Sequence, residues 1–215
     1  MIDAVVFDLD GVIVDSEQVW DEVREAYVHE TGGTYSDESA RDMMGMSSPE
    51  WSRYMADELR VPATPEEINA AIVERMLARY GEAPPLLPGA VEAVRRIGAW
   101  VPLAIASSSN RELIDVVLEV SGLAGDFAAT VSSEEVPRGK PSPDVYLEAA
   151  RRLGADAARC GAVEDSHNGI RSAKAAGMRV VAVPNPHYPP DEESLTLADV
   201  VVPAIGELQV EHFAV

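Results

Sequence analysis

Cysteine is nearly absent from the chain. Cys160 is the only one among 215 residues, so no internal disulfide can staple the fold. It sits in the apolar run "RCGAVED" and reads as a small buried hydrophobe rather than a nucleophile. Lysine is almost as scarce, with Lys140 and Lys174 alone in a chain whose other basic side chains are arginines. Such rarity makes each lysine a candidate for a place where a compact ammonium is required. No apolar run is long enough to cross a bilayer. The amino terminus enters a strand pattern at once, without the charged start and cleavage site of a signal peptide, which predicts a cytoplasmic protein. Basic residues as a class are outnumbered, 17 Lys+Arg against 37 Asp+Glu, for a formal net charge of −20. That surface repels nucleic acid and anionic membranes, so neither is an expected partner. It also repels phosphorylated ligands unless a metal ion or a local cationic pocket intervenes.

What is present is a folded composition, 47% hydrophobic, with a regular alternation of short apolar runs and helix-sized segments. The runs are "AVVFDLD", "PLAIASS", "AATVSS", "CGAVED", "RVVAVP" and "ADVVVP". The helical segments include "NRELIDVVLEVSG", "SPDVYLEAARRLG" and "DSHNGIRSAKAAG". In the second of these, Ser142 is expected as the cap, Pro143 at the first helical position and Gly154 as the stop. Apolar strands alternating with helices predict an α/β fold: a doubly wound, Rossmann-like parallel sheet covered on both faces. Residues 16–83 break the rhythm with helix after helix. "EQVWDEVREAYVHE" puts Val19, Trp20, Val23 and Tyr27 on one face, and Thr64, Pro65 and Glu67 form a capping box for another helix. The expected organisation is a core of 1–15 and 84–215, with an α-helical cap domain, 16–83, inserted after the first strand. The tail after Asn185 reads as a loop, a last strand and a short closing helix.

Ligands of open α/β sheets sit beyond the carboxyl ends of the strands. Those ends carry a short list here: Asp8 and Asp10 before Gly11, Ser107 to Ser109, Lys140 ahead of a helix, and Glu164-Asp165. Each has a local explanation. Asp-Gly is a turn dipeptide, the serines and the Glu-Asp pair could cap the following helices, and a lysine can simply be solvated. All of these would have to hold at once at successive strand ends, and that coincidence is what we reject. Clustered carboxylates must hold protons or bind a cation, and an all-oxygen set suits Mg²⁺. Hydroxyls and Lys140 suit the oxygens of a phosphoryl group. Asp8 could then attack phosphorus, while Asp10 moves a proton to and from oxygen.

The segments "FDLDGVIVDSE", "IASSS", "GKPSPDVY" and "VEDSHNGI" resemble, in order, the four motifs of the haloacid dehalogenase superfamily. The likeness is to the helical-cap subfamily that includes β-phosphoglucomutases and sugar-phosphate phosphatases. It implies Asp8 as nucleophile and Asp10 as general acid/base. It implies phosphate binding by Ser107, Ser108 and Lys140. The implied Mg²⁺ ligands are Asp8, the backbone carbonyl of Asp10, Asp165 and Glu164, the last directly or through water. In the cap, Glu17, Trp20 and Ser47 are expected on the substrate side, whereas Met43, Met44 and Met46 are expected in the core.

Departures from the mutase pattern are equally specific. Trp20 stands where mutases carry a histidine, Ser48 where they carry a phosphate-binding arginine, and Asn110 where they carry a lysine. The expected activity is therefore Mg²⁺-dependent hydrolysis of a small phosphorylated metabolite, with a sugar phosphate favoured, through an aspartyl phosphate. A phosphosugar mutase is the alternative. A receiver-type signalling domain is remote, because it would be far shorter, would lack the helical insert and would need an aspartate on a mid-chain strand, where this chain has Thr130-Val131-Ser132. The expected oligomeric state is a monomer or weak homodimer.

Overall fold

The structure is a computed structural model that describes residues 2–43, 46–185 and 189–214. All six apolar runs form strands: β1 (Ala4–Phe7), β2 (Leu103–Ser107), β3 (Ala129–Ser132), β4 (Cys160–Glu164), β5 (Arg179–Ala182) and β6 (Val200–Val201). They make one sheet in the order β3-β2-β1-β4-β5-β6, and every pairing is parallel. The chain winds outward in one direction from β1 to β3 and in the other from β4 to β6. The switch point lies between β1 and β4.

Period-two alternation explains how β1 is buried on both faces. Val5 and Phe7 join one core cluster with residues of α5 (Ala90–Gly98) and α6 (Arg111–Val120). Ala4 and Val6 join the opposite cluster with α7 (Asp144–Leu153) and α8 (His167–Ala175). That second face is rich in alanine, with Ala104, Ala106, Ala162 and Ala182 all buried, so the helices approach the sheet closely. Cys160 is buried in β4 as expected, and burial pushes its thiol up to about 11.

Four further helices fall between β1 and β2: α1 (Glu17–Thr31), α2 (Asp37–Met43), α3 (Ser48–Asp57) and α4 (Pro65–Glu82). No strand occurs among the described residues of 16–83. The capping box at α4 forms, with the Thr64 amide donating to Glu67 Oε2 at 2.9 Å and the Glu67 amide to Thr64 Oγ1 at 3.3 Å. Two adjacent crossings connect these helices to the sheet. The Asp15 amide donates to the Pro85 carbonyl at 2.7 Å, and that of Leu87 to Ile13 at 2.9 Å.

Two local expectations shift. Pro143, not Ser142, caps α7, since the Leu147 amide reaches the Pro143 carbonyl. The Ser142 hydroxyl instead donates to Asp144 Oδ1 at 2.6 Å, and no side-chain capping bond forms at the start of α7. The tail also differs, with α9 (Glu192–Leu197) preceding β6 and short 3₁₀ turns closing the chain.

Candidate active site

β1 lies between β2 and β4, so the parallel register brings the ends of three strands together. Asp8 follows β1 directly and is buried, 6% exposed. Lys140 enters from the loop between β3 and α7, with its Nζ 2.9 Å from Asp8 Oδ1 and 2.6 Å from Glu164 Oε1. Burial alone would lower the ammonium's pKa, but Asp8 and Glu164 raise it by more, so Lys140 stays charged. Burial pushes the Asp8 carboxyl up to about 8, with Lys140 opposing and Glu164 and Asp10 adding to the rise. Asp165 is raised well above the usual range, first by burial and then by Glu164 and Asp8.

Ligand oxygens of Asp8, Glu164 and Asp165 lie within 4.8 Å of one another. One lysine cannot neutralise three buried carboxylates, and the donor set is all oxygen. These residues fit a hard divalent cation such as Mg²⁺. Within the set, Glu164 is already saturated. Its Oε1 accepts from Lys140 and, at 2.9 Å, from the Tyr146 hydroxyl, while its Oε2 accepts from the amides of Asp165 and Ser166 and the Ser166 hydroxyl. Asp8 and Asp165 are the freer donors.

Two glycines make this crowding possible. Gly11 has φ +74°, and a Cβ there would lie 1.8 Å from Asp165 Oδ2. At Gly169 a Cβ would fall 1.7 Å from Glu164 Oε1. Gly11 is thus more than a turn residue: its missing side chain is the space that Asp165 occupies.

Asp10 points to the other side of the cleft. Ser109 Oγ donates to its Oδ2 at 2.6 Å, Ser107 Oγ does so at 3.3 Å, and the Trp20 indole N–H reaches its Oδ1 at 3.4 Å. Ser109, on the strand-end list but given no role of its own from the sequence, holds Asp10 more closely than Ser107 does. Ser108 Oγ is buried and has no hydrogen-bond partner among the described residues, and Ser108 lines the cleft. An unmet hydroxyl there fits a phosphoryl oxygen. The serines do not cap α6, whose cap is Asn110.

The helices inserted between β1 and β2 complete the cleft. Glu17 and Trp20, expected on the substrate side, line this cleft. Met43 and Met46 line it too; Met43 is at once part of the core, and Met44 lies outside the described residues. Ser47 is the exception and does not line this cleft. Its hydroxyl donates to Glu50 Oε2 at 2.6 Å in the capping box of α3, and it borders a neighbouring depression.

The residue missed altogether is Arg24. It lies on the buried face of α1, 6% exposed, with its guanidinium carbon 4.7 Å from the Trp20 ring centroid and 5.1 Å from that of Trp51. A signal existed: Arg24 follows Trp20 by one helical turn, on the stripe that also carries Val23 and Tyr27. A cation on an apolar stripe is the anomaly to notice.

Known proteins extend this picture. Hexitol phosphatase B of Escherichia coli (strain K12) is 35% identical over 213 residues, covering 95% of this chain and 93% of that protein. A bifunctional riboflavin kinase/FMN phosphatase of Arabidopsis thaliana is 31% identical over 97% of this chain, which spans 55% of that longer protein. Among solved structures, a variant of CbbY from Rhodobacter sphaeroides in complex with xylulose-(1,5)bisphosphate superposes with a TM-score of 0.87 at 25% identity, covering 100% of both chains. The model of the haloacid dehalogenase-like hydrolases matches residues 2–177, which include the sheet from β1 to β4, the cap helices and every motif of the cleft. The chain belongs to the haloacid dehalogenase-like hydrolase family.

Proposed function

We propose that the protein is a Mg²⁺-dependent phosphomonoesterase acting on a small phosphorylated metabolite, favouring a sugar or polyol phosphate, through an aspartyl phosphate on Asp8. One observation carries the reading. A buried carboxylate, a buried lysine, an unpartnered serine hydroxyl and a separately held second aspartate meet at the switch point of the sheet. In the first half-reaction an Asp8 oxygen forms a bond to phosphorus as the ester P–O bond breaks, and Asp10 gives its proton to the departing oxygen. In the second, Asp10 takes a proton from water, the water oxygen bonds to phosphorus, and the bond from phosphorus to Asp8 breaks, releasing inorganic phosphate. Lys140 and the Ser108 hydroxyl neutralise and orient the phosphoryl oxygens. When bound by Asp8, Asp165 and the Asp10 carbonyl, with Glu164 behind them, Mg²⁺ supplies charge neutralisation for phosphoryl transfer. The cap of 16–83 closes over the cleft and limits the entry of bulk water. The direct test is phosphate release from a panel of sugar, polyol and nucleoside monophosphates with and without chelator; no release above background contradicts the reading.

A mutase must also grip a second phosphate. Ser48 and Asn110, which stand where mutases carry cations, are consumed by each other here. Ser48 Oγ donates to Asn110 Oδ1 at 2.8 Å, and Asn110 Nδ2 donates to Glu134 Oε1 at 2.7 Å. A carboxylate in that corner supports hydrolysis over mutation.

Metal dependence should carry a pH signature. Asp8 and Asp165 have pKa values raised above those of an unfolded chain, so without metal the protons they retain favour the folded state at low pH. That contribution fades as pH rises toward about 8, the Asp8 value. A cation competes with the same protons, so stabilisation by Mg²⁺ should grow between about pH 6 and pH 9. At a hundredfold excess over Kd near the upper limit, the expected gain in Tm is about 5–10 °C. A melting series that shows the same gain at both limits would contradict this.

A further inference from the structure

Two opposite charges face the cleft from α1 without meeting. Glu17 opens the helix and Arg24 follows two turns later, and both line the cleft. Arg24 Nε is buried with no hydrogen-bond partner, and the guanidinium forms no ion pair with any described residue. It rests in the notch between Trp20 and Trp51, whose ring centroids are 6.0 Å apart at 56°. These π faces recover only part of what a buried cation loses on leaving water. The Glu17 carboxylate accepts no hydrogen bond from a described residue either. Burial pushes it up to about 7, with Arg24 the main opposing influence. The two charges therefore sense each other across a gap.

The chemistry of that gap selects its occupant. A second anion would satisfy Arg24 but would enter beside Glu17, with Asp10 close by, where like charges repel strongly in a poorly solvated space. A hydroxyl satisfies both sides at once: its oxygen accepts from the guanidinium, and its hydrogen is donated to the carboxylate. Neighbouring hydroxyls on one carbon chain repeat the pattern and add no charge. The single hydrogen bond to Asp10 from Trp20, which also stacks on Arg24, ties this corner to the place where the leaving oxygen departs.

We propose that Glu17 and Arg24 are specificity-determining residues that bracket the hydroxyls of a polyhydroxylated leaving group, selecting a sugar or polyol monophosphate with no second anionic group at that end. This rests on the phosphomonoesterase reading above, and the test separates the two. kcat/KM is measured on the full chain with Mg²⁺ for a hexitol 6-phosphate, for phenyl phosphate, whose leaving group has no aliphatic hydroxyls, and for a hexose bisphosphate. Glu17→Leu and Arg24→Met are compared with the unaltered protein, with melting curves to confirm that each variant is folded.

The unaltered protein should prefer the hexitol phosphate to both other esters. Each variant should reduce its preference over phenyl phosphate about tenfold or more, the scale of a lost charge-assisted hydrogen bond. If Arg24→Met does not fold, Glu17→Leu, at a less buried position, decides the question alone. An unchanged preference in a folded variant overturns the proposal. So does a preference for the bisphosphate that Arg24→Met abolishes, since Arg24 would then be reading an anion. Absence of phosphate release from every ester by the unaltered protein overturns the phosphatase reading, and this proposal with it.

Discussion

Asp8→Asn should abolish turnover, with a loss on the order of 10⁵-fold or more in kcat and little change in fold. The amide is nearly isosteric but cannot form an acyl phosphate. It also removes a carboxylate from a crowded buried cluster, where burial, Glu164 and Asp10 together oppose ionisation of Asp8 by more than Lys140 favours it, and Lys140 keeps Glu164 as its partner. The variant should therefore be at least as stable as the parent when metal is absent. This combination separates a nucleophile from a structural carboxylate, whose removal would cost stability and activity together. Phosphate release measured beside a melting curve gives both readouts, and undiminished turnover would sink the assignment.

The second large effect is expected at Lys140. Its side chain is 3% exposed and bridges Asp8 and Glu164, which are 8% and 0% exposed. Lys140→Met keeps the length and apolar stem but leaves the buried carboxylates without their cation. Removing one partner of such a pair costs about 3–5 kcal/mol. The phosphate-neutralising role proposed for it predicts a further loss of about 10²–10³-fold in kcat, the scale of one lost electrostatic contact to a developing charge. Arginine should not rescue it, because a planar fork does not fit the space of a compact ammonium held by two oxygens and 5.1 Å from the Tyr146 ring centroid. Chemical denaturation would report the stability loss, and steady-state kinetics on the surviving folded fraction the rate loss. A variant with parental stability would show that the carboxylates do not depend on this lysine.

The core of this site was legible because it is built from strand ends. Once β1 is placed by its apolar run, parallel pairing obliges Asp8, Ser107 and Glu164 to converge, whatever the intervening chain does. The rarity of lysine singled out Lys140 by the same logic. What stayed hidden depends on helix packing and side-chain direction. Arg24 becomes notable only when α1 is seen to lay it between Trp20 of its own helix and Trp51 of α3. Ser109 and Ser107 lie on one short segment, and only the turn after β2 decides which hydroxyl meets Asp10 first. Ser47 was drawn toward the substrate by its neighbours in sequence, but a capping box takes its hydroxyl instead. Local hydrogen-bond competition at helix starts also moved the cap of α7 from Ser142 to Pro143.

The central claim is that phosphorus passes through Asp8 on its way to water. Stereochemistry at phosphorus tests it most directly, whether or not the intermediate accumulates. A phosphorothioate ester made chiral with oxygen isotopes is hydrolysed in isotopically labelled water, and the configuration of the released thiophosphate is determined. Two successive in-line displacements predict net retention. Net inversion would mean that water attacks the ester directly, and Asp8 would then be no nucleophile.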